Sequence, residues 1–198
     1  MAPIRPTAAF GKGLLRDLVE VVILAFGLYI LATATVQTVR VVGSSMYPSL
    51  HDGDLLIASR VDYRIHPIER GDIVILKDPL DPRRDFIKRV VGLPGDRIHI
   101  HDHRVLVNGE PLREPYVQAP WVATGDWPGP SANDSNVVPR ASYFVLGDNR
   151  DHSSDSRTFN WVRQDAIDSK AIVRFWPFQR MDLLDVRPTL AASSAKAP

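Results

Sequence analysis

Residues 85–96 read DFIKRVVGLPGD, a short apolar run that ends in a turn rich in glycine and proline. The aromatic and β-branched residues from Phe86 to Val91 favour a strand, which Gly92-Leu93-Pro94-Gly95 would close. Because side chains alternate along a strand, Lys88 would share a face with Phe86 and Val90. The stretch therefore predicts a strand that holds one lysine among apolar side chains.

Similar short runs recur between turn residues on both sides of this strand. Asn108-Gly109 separates two of them and predicts a hairpin with a type I′ turn, because both central residues of that turn need positive φ. Short strands at such close spacing favour a mainly β fold, a barrel or a folded sheet. The predicted strands are residues 54–58, 73–76, 86–91, 97–101, 105–107, 110–112, 143–146 and 172–175.

Composition narrows the class of protein. The chain has 198 residues, of which 44% are hydrophobic, enough for one domain with a core. Its 24 basic and 23 acidic residues argue against a nucleic-acid binder that relies on phosphate attraction. With no cysteine, disulfides, thiolate catalysis and cysteine-ligated zinc are excluded.

Residues 21–39 (VVILAFGLYILATATVQTV) carry no charge. As a helix they would span roughly 28 Å, close to the ~30 Å hydrocarbon core of a bilayer. We expect a transmembrane anchor helix over residues 17–39, after a cytoplasmic segment over residues 1–16. The basic residues before the anchor support this orientation, but basic residues also follow it, so the charge rule is weak here.

Two other interpretations of this segment remain open. Ala32-Thr33-Ala34 resembles the small-x-small site of a cleaved signal peptide, although the apolar run is longer than a usual signal core. A buried soluble helix should show a polar face, and residues 21–31 show none. After the anchor we expect an extracytoplasmic domain over residues 40–185, with a proline-rich surface excursion over 117–141, and a disordered tail over 186–198.

Ser45 and Lys88 could form a nucleophile and its base. A serine hydroxyl needs a neighbouring base, and a lysine can serve if it is neutral. Exposed lysine has a pKa near 10.4, which burial among apolar groups lowers by up to about 3–5 units. Pro48 would turn the chain after Ser45. Alone, each residue is weak evidence, since most lysines are solvated.

A third block, residues 147–157 (GDNRDHSSDSR), follows a predicted strand. It could be a polar turn, but two arginines and three aspartates exceed what a turn requires. Its hydroxyls could hold a buried amine, and its aspartate–arginine pairs could brace the loop.

These blocks, residues 43–50, 85–96 and 147–157, together with Arg70-Gly71-Asp72, resemble those of bacterial type I signal peptidases, in the same order. The resemblance covers roughly residues 15–180. It implies an all-β catalytic part of two sheets with a small barrel, and no metal or organic cofactor. It also implies that the protein is a membrane-anchored serine–lysine protease. Such a protease would cross the bacterial cytoplasmic membrane once and would hold its catalytic domain on the extracytoplasmic side.

The resemblance also assigns roles to individual residues. Ser45 would be the acylated nucleophile, Lys88 the general base, and Ser153 the residue that orients the lysine amine. The oxyanion would bind the Ser45 N–H and a second donor that is a Gly43 backbone group, Ser44 or water. The bracing pairs would be Asp155 with Arg157 and Asp148 with Arg89, and the pocket walls would be Val41, Met46, Leu50, Phe86 and Ile87.

By the same resemblance, the substrates are exported preproteins cut after small-x-small motifs, and the partners are the bilayer and the translocation machinery, with no nucleic acid. A specialised pilus or conjugation precursor peptidase, a non-catalytic membrane-anchored peptide-binding module and a soluble self-cleaving repressor remain alternatives. Two residues depart from the family pattern: His152 stands where asparagine is common, and Asn160 where glycine is usual. Asparagine tolerates positive φ better than most residues.

Two sets of side chains lie outside these blocks. His99, His101 and His103 alternate, so on one strand they would share a face, which is either solvated or a zinc site. The four tryptophans would either pack in the core or contact the lipid interface; they are Trp121, Trp127, Trp161 and Trp176.

Overall fold

A computed structural model describes residues 9–118, 121–122, 126–128 and 136–191. The chain divides into two compact units between Val36 and Gln37. The first unit holds helix α1 (Ala9–Thr35). Among the described residues, no helix combines the length and the apolar character needed to cross a membrane. The predicted helix over 17–39 extends too far, because β-branched residues after Thr35 form a strand instead.

The second unit is mainly β, as predicted from its short apolar runs. Two short helices, α2 (Asp62–Ile65) and α3 (Ser156–Phe159), and two single 3₁₀ turns, Gln164–Ala166 and Phe178–Arg180, connect its strands. The strands are β1 (Val36–Arg40), β2 (Leu55–Ser59), β3 (Ile73–Lys77), β4 (Asp85–Gly92), β5 (Ile98–His101), β6 (Arg104–Val107), β7 (Glu110–Arg113), β8 (Ser142–Leu146), β9 (Val162–Arg163), β10 (Ile167–Trp176), β11 (Asp182–Leu183) and β12 (Thr189–Leu190).

The strands form two sheets. The larger has the order β1-β2-β10-β3-β4-β8-β9, with β11 paired to β10, and the smaller has the order β12-β7-β6-β5. Across the part of the chain that is described, β1 and β9 stand at opposite ends of the larger sheet and do not pair. The expected small barrel is therefore wrong: the sheet stays open, and β1 keeps one free edge.

Strand β4 lies between two regions of the core. Val90 packs in one buried cluster and Val91 in another, because neighbouring side chains leave a strand on opposite faces. Lys88 leaves the strand on the same face as Val90, and Arg89 leaves it on the same face as Val91. Asn108 and Gly109, with φ of 55° and 88°, form the predicted hairpin turn between β6 and β7.

Two predicted segments are corrected. In the supposed surface excursion over 117–141, Trp121 and Trp127 are buried in the core, and Trp127 bridges to Ile100. In the supposed disordered tail over 186–198, β12 pairs with β7 and Leu190 packs on the core. Burial of apolar side chains thus orders segments that their polar composition predicted to be irregular. Residues 192–198 lie outside the described residues.

Candidate active site

Two strands leave a groove between them. Strand β4 pairs with β3 along residues 85–89 but with β8 only from Arg89 onward, so within the described ranges its first half has an unpaired edge. The free edge of β1 and the chain that follows it to Met46 line the same groove, which has a volume of about 760 Å³. Two unpaired strand edges facing one space can accept an extended peptide as an added strand.

Ser45 and Lys88 meet in this groove. The lysine Nζ lies 2.8 Å from the serine Oγ, within hydrogen-bonding distance. Only 2% of Lys88 is exposed, and this burial lowers its pKa to about 8, although the negative charges of Asp155 and Asp148 oppose the shift. A substantial neutral fraction at mildly alkaline pH gives the serine a base, so the pair can support nucleophilic catalysis.

The loop that carries Ser45 is held from the third sequence block. The Asn149 N–H donates to the Ser45 carbonyl oxygen at 3.0 Å, and its side-chain amide donates to the Ser44 carbonyl oxygen, also at 3.0 Å. This contact has no signal in the sequence, because an asparagine that follows a strand is typical of a turn. Asn149 therefore fixes the nucleophile loop without touching its hydroxyl.

Asp155 organises the loop behind the lysine. Its carboxylate accepts two hydrogen bonds from the Arg157 guanidinium, at 2.8 Å each, and caps the first turn of α3 through the Arg157 N–H. It also accepts the Gly147 N–H at 3.1 Å. The structure thus brings the predicted Asp155–Arg157 pair together, with Asp155 wholly buried.

Ser153 does not reach the lysine amine. Its hydroxyl oxygen is buried and, within the described ranges, has no hydrogen-bond partner. A Cβ at Gly147 would overlap this hydroxyl and the Ser45 carbonyl oxygen, so the glycine permits the close approach of the two loops. The expected orienting contact from Ser153 to Lys88 is therefore not made.

Arg89 and Asp148 form the second predicted pair. Two hydrogen bonds, at 2.9 Å and 2.7 Å, join the guanidinium to the carboxylate, and both side chains are buried. The guanidinium also donates to the carbonyl oxygens of Gly71 and Val186 and lies 3.9 Å from the centre of the Tyr116 ring. The pair ties β4 to the third block and to the C-terminal segment.

The predicted oxyanion donors and pocket walls are partly corrected. The Gly43 N–H donates to the Asp52 carboxylate at 2.8 Å, so the second donor is not this amide. Four of the five predicted wall residues line the groove, and so do Val39 and Ile75, which were not predicted. Leu50 lies behind the wall in the core with Val41 and Met46. The four are Val41, Met46, Phe86 and Ile87.

The two departures from the family pattern occupy separate places. Asn160 has a φ of 61°, so it supplies the positive φ expected of a residue in a glycine position. His152 is exposed and lines the groove. Neither side chain contacts the Ser45–Lys88 pair within hydrogen-bonding distance in the described part of the chain.

The three histidines do not share one strand face. Strand β5 ends at His101, and His103 lies in a turn with φ of 56°. His99 contacts Asn136, His101 pairs with Asp126 at 2.8 Å, and His103 packs against Trp121. No group of three or more metal-ligating side chains occurs in the described portions of the chain.

Three of the four tryptophans serve the core. Trp121 and Trp127 are buried, and Trp161 packs against the same cluster. Trp176 is 46% exposed and stacks edge-on against Phe178, which is also exposed. Core packing therefore accounts for all of them except Trp176.

Comparison with known proteins places this site in context. Residues 15–176 match the family described as signal peptidase, peptidase S26. Signal peptidase I of Leptolyngbya laminosa is 37% identical over 176 residues, 85% of this chain and 81% of that protein. Signal peptidase IB of Staphylococcus aureus is 34% identical over 178 residues, 84% of this chain and 92% of that protein.

A solved structure is also similar. The crystal structure of a signal peptidase I from Enterococcus faecalis V583 is 34% identical, with a TM-score of 0.47. The similarity covers 54% of this chain and 97% of that one.

Proposed function

Because the chain belongs to the signal peptidase family, peptidase S26, we propose that it removes signal peptides from exported preproteins by means of Ser45 and Lys88. The family assigns the chain to the serine peptidases, which are hydrolases. The observation that carries the residue assignment is the 2.8 Å approach of a buried lysine amine to a serine hydroxyl in an open groove.

The chemistry follows from that approach. Neutral Lys88 takes the proton of the Ser45 hydroxyl as its oxygen attacks the scissile carbonyl carbon. The resulting ammonium gives the proton to the leaving amine, and the acyl group stays on Ser45 as an ester. Lys88 then takes a proton from water, whose oxygen attacks the ester carbonyl carbon. The ammonium returns this proton to the Ser45 oxygen as the acyl–oxygen bond breaks, which releases the acid, the free serine and the neutral lysine. The Ser45 N–H stabilises the oxyanion in both steps.

The substrate would enter as an extended strand between the free edges of β1 and β4. The apolar walls at Val41, Met46 and Ile87 favour small side chains one and three residues before the cut, since larger groups would overlap them. This is the proposed basis for cleavage after small-x-small motifs.

The proposal includes a membrane setting. The uncharged part of α1, residues 21–35, supports a single-pass anchor in the cytoplasmic membrane, with the catalytic unit outside the cytoplasm and supplied with preproteins by the translocation machinery. Exposed apolar side chains along α1, from Leu18 to Ile30, support contact with lipid. We expect detergent, but not alkaline carbonate, to release the full chain from membrane fractions. Release by carbonate would contradict a membrane-spanning anchor.

The test of the activity uses the full chain in detergent and a peptide with an Ala-x-Ala cleavage site. We expect cleavage after the second alanine, with kcat/KM lowered at least about 10³-fold in Ser45→Ala and in Lys88→Ala. Thr158→Ala, which removes an exposed hydroxyl outside the groove, is the matched control and should keep the activity. Retained cleavage in either active-site variant overturns the assignment.

The pH dependence gives a second test. Since the pKa of Lys88 is about 8, kcat/KM should fall below that pH as the amine becomes protonated. A rate that stays level through this range contradicts a lysine base. Binding without cleavage would favour the peptide-binding module, and cleavage of a pilus precursor alone would favour the specialised peptidase.

A further inference from the structure

Several charged side chains line the groove that holds Ser45 and Lys88. Two of the cations have carboxylate partners: Lys77 lies 2.7 Å from Asp85, and Arg60 lies 3.7 Å from Asp168. Arg40 and Arg84 line the same groove, and neither guanidinium lies within 4.0 Å of a carboxylate in the described part of the chain. The groove therefore carries an excess of positive charge.

Arg84 is held in place. Its N–H donates to the Asp81 carbonyl oxygen at 2.9 Å, and its own carbonyl oxygen accepts the Asp78 N–H at 3.0 Å. Its guanidinium carbon lies 5.6 Å from the centre of the Phe86 ring, and Lys88 Nζ lies 4.9 Å from the centre of the same ring. The free cation and the proposed base thus share one aromatic side chain.

The position of Arg84 fixes the part of a substrate that it can meet. An extended peptide advances about 3.3 Å per residue, as β4 does, and Arg84 precedes Lys88 by roughly 13 Å along the chain. The side chains one and three residues before the cut must both reach the apolar walls. On β4 these walls are Phe86 and Ile87, which lie between Lys88 and Asp85, so the residues before the cut run toward Asp85. Arg84 then lies level with the fourth and fifth residues before the cut.

We propose that Arg84, with Arg40 beside the same groove, makes the enzyme prefer preproteins that carry an acidic side chain four or five residues before the scissile bond. This inference rests on the proposed function and adds a selectivity for charge to the selectivity for small residues. A carboxylate there would be the partner that neither guanidinium has within the described residues, and the positive charge of the groove would favour its approach.

The experiment compares, at the fourth and separately at the fifth residue before the cut, three peptides that share one Ala-x-Ala site and differ only in having Asp, Asn or Lys at that residue. With the full chain in detergent at low salt, we expect kcat/KM to be roughly 2- to 5-fold higher for Asp than for Asn, the range of an exposed ion pair. Lys should be cleaved more slowly than Asn. About 0.5 M salt should remove most of the difference.

Variants assign the effect to the guanidinium. Arg84→Gln should bring the Asp/Asn ratio of kcat/KM toward 1, and Arg84→Glu should make Lys the preferred residue. Arg83→Gln is the matched control: Arg83 is the sequence neighbour, pairs with Asp81 at 2.9 Å, does not line the groove, and should keep the wild-type ratio. An additional Arg40→Gln tests the second cation in the same way.

The outcomes separate the two proposals. A wild-type ratio of 1 at both the fourth and the fifth position, with cleavage that still depends on Ser45, overturns the charge preference and leaves the proposed function intact. A ratio that survives loss of both Arg84 and Arg40 also overturns it. Failure of the wild-type chain to cleave any of the three peptides or a full preprotein overturns both.

Discussion

Lys88 and Arg89 are neighbours on one strand, both cationic in water and both buried, yet the structure treats their charges in opposite ways. Lys88 faces the serine hydroxyl and an aromatic ring, and burial lowers its pKa to about 8. Burial also acts to lower the pKa of Arg89, but the charge and hydrogen bonds of Asp148 overcome it, so that pKa lies above its ordinary value.

The difference lies in the partners on the two faces of the strand. On one side Arg89 has a bidentate carboxylate and two backbone carbonyl oxygens. On the other side the carboxylate of Asp155, which could neutralise the lysine, is occupied by the Arg157 guanidinium. Burial alone therefore does not decide in which direction the pKa of a cation shifts; the placement of carboxylates does.

The largest effect should come from giving the site of Lys88 a cation that cannot lose its proton. Lys88→Arg keeps a positive side chain, but arginine stays protonated in proteins, so kcat/KM should fall at least about 10³-fold. The reciprocal change, Arg89→Lys, leaves the base in place and should keep measurable cleavage while lowering the melting temperature. An active Lys88→Arg would show that the lysine acts by charge and not as a base.

Next in size is the loss of the partner of Arg89. Asp148→Ala leaves a buried guanidinium without its carboxylate, and the free energy of unfolding should fall by about 3–5 kcal/mol, measured by urea denaturation. Asp165→Ala removes the carboxylate of an exposed pair with Arg163 and should cost far less. An equal decrease in the free energy of unfolding in the two variants would mean that a buried ion pair stabilises the fold no more than an exposed one.

Only part of this contrast between Lys88 and Arg89 could be predicted from the sequence. Alternation along residues 85–91 predicted that Lys88 and Arg89 face opposite sides, and the resemblance to signal peptidases paired Arg89 with Asp148. The strands and the Asn108-Gly109 turn also followed from local pattern. Local rules succeed there because the turn geometry and the apolar period act over a few residues.

Other features depend on contacts between distant parts of the chain. Strand β1 could not be separated from the helix by composition, because valine and threonine continue the uncharged run past Thr35. Likewise, β12 is ordered by its pairing with β7, more than seventy residues earlier in the sequence, and by the packing of Leu190 on the core. The lack of a carboxylate partner for Arg84 among the described residues and the contact from Asn149 to the Ser45 loop have no sequence signal of their own.

A smaller effect concerns stability and pH at Lys88. With a folded pKa of about 8 and an unfolded pKa near 10.4, the unfolded chain binds the proton more tightly, so the cost of burying the charge is complete below pH 8 and disappears above pH 10.4. Lys88→Met should therefore raise the free energy of unfolding at pH 7 by roughly 3 kcal/mol. A difference between variant and wild type that does not shrink from pH 7 to pH 10.5 contradicts this account.

The smallest effect tests whether the nucleophile can be disturbed without changing the lysine. Asn149→Ala removes the hydrogen bond to the Ser44 carbonyl oxygen, worth about 1 kcal/mol, and should lower kcat roughly 5-fold with little change in KM. Asn149→Asp should be worse, because it places a carboxylate against a carbonyl oxygen. Since neither change exposes Lys88, the midpoint of the acidic limb should stay near pH 8 in Asn149→Ala. A shifted midpoint would mean that this loop, and not burial on β4, sets the pKa of the base.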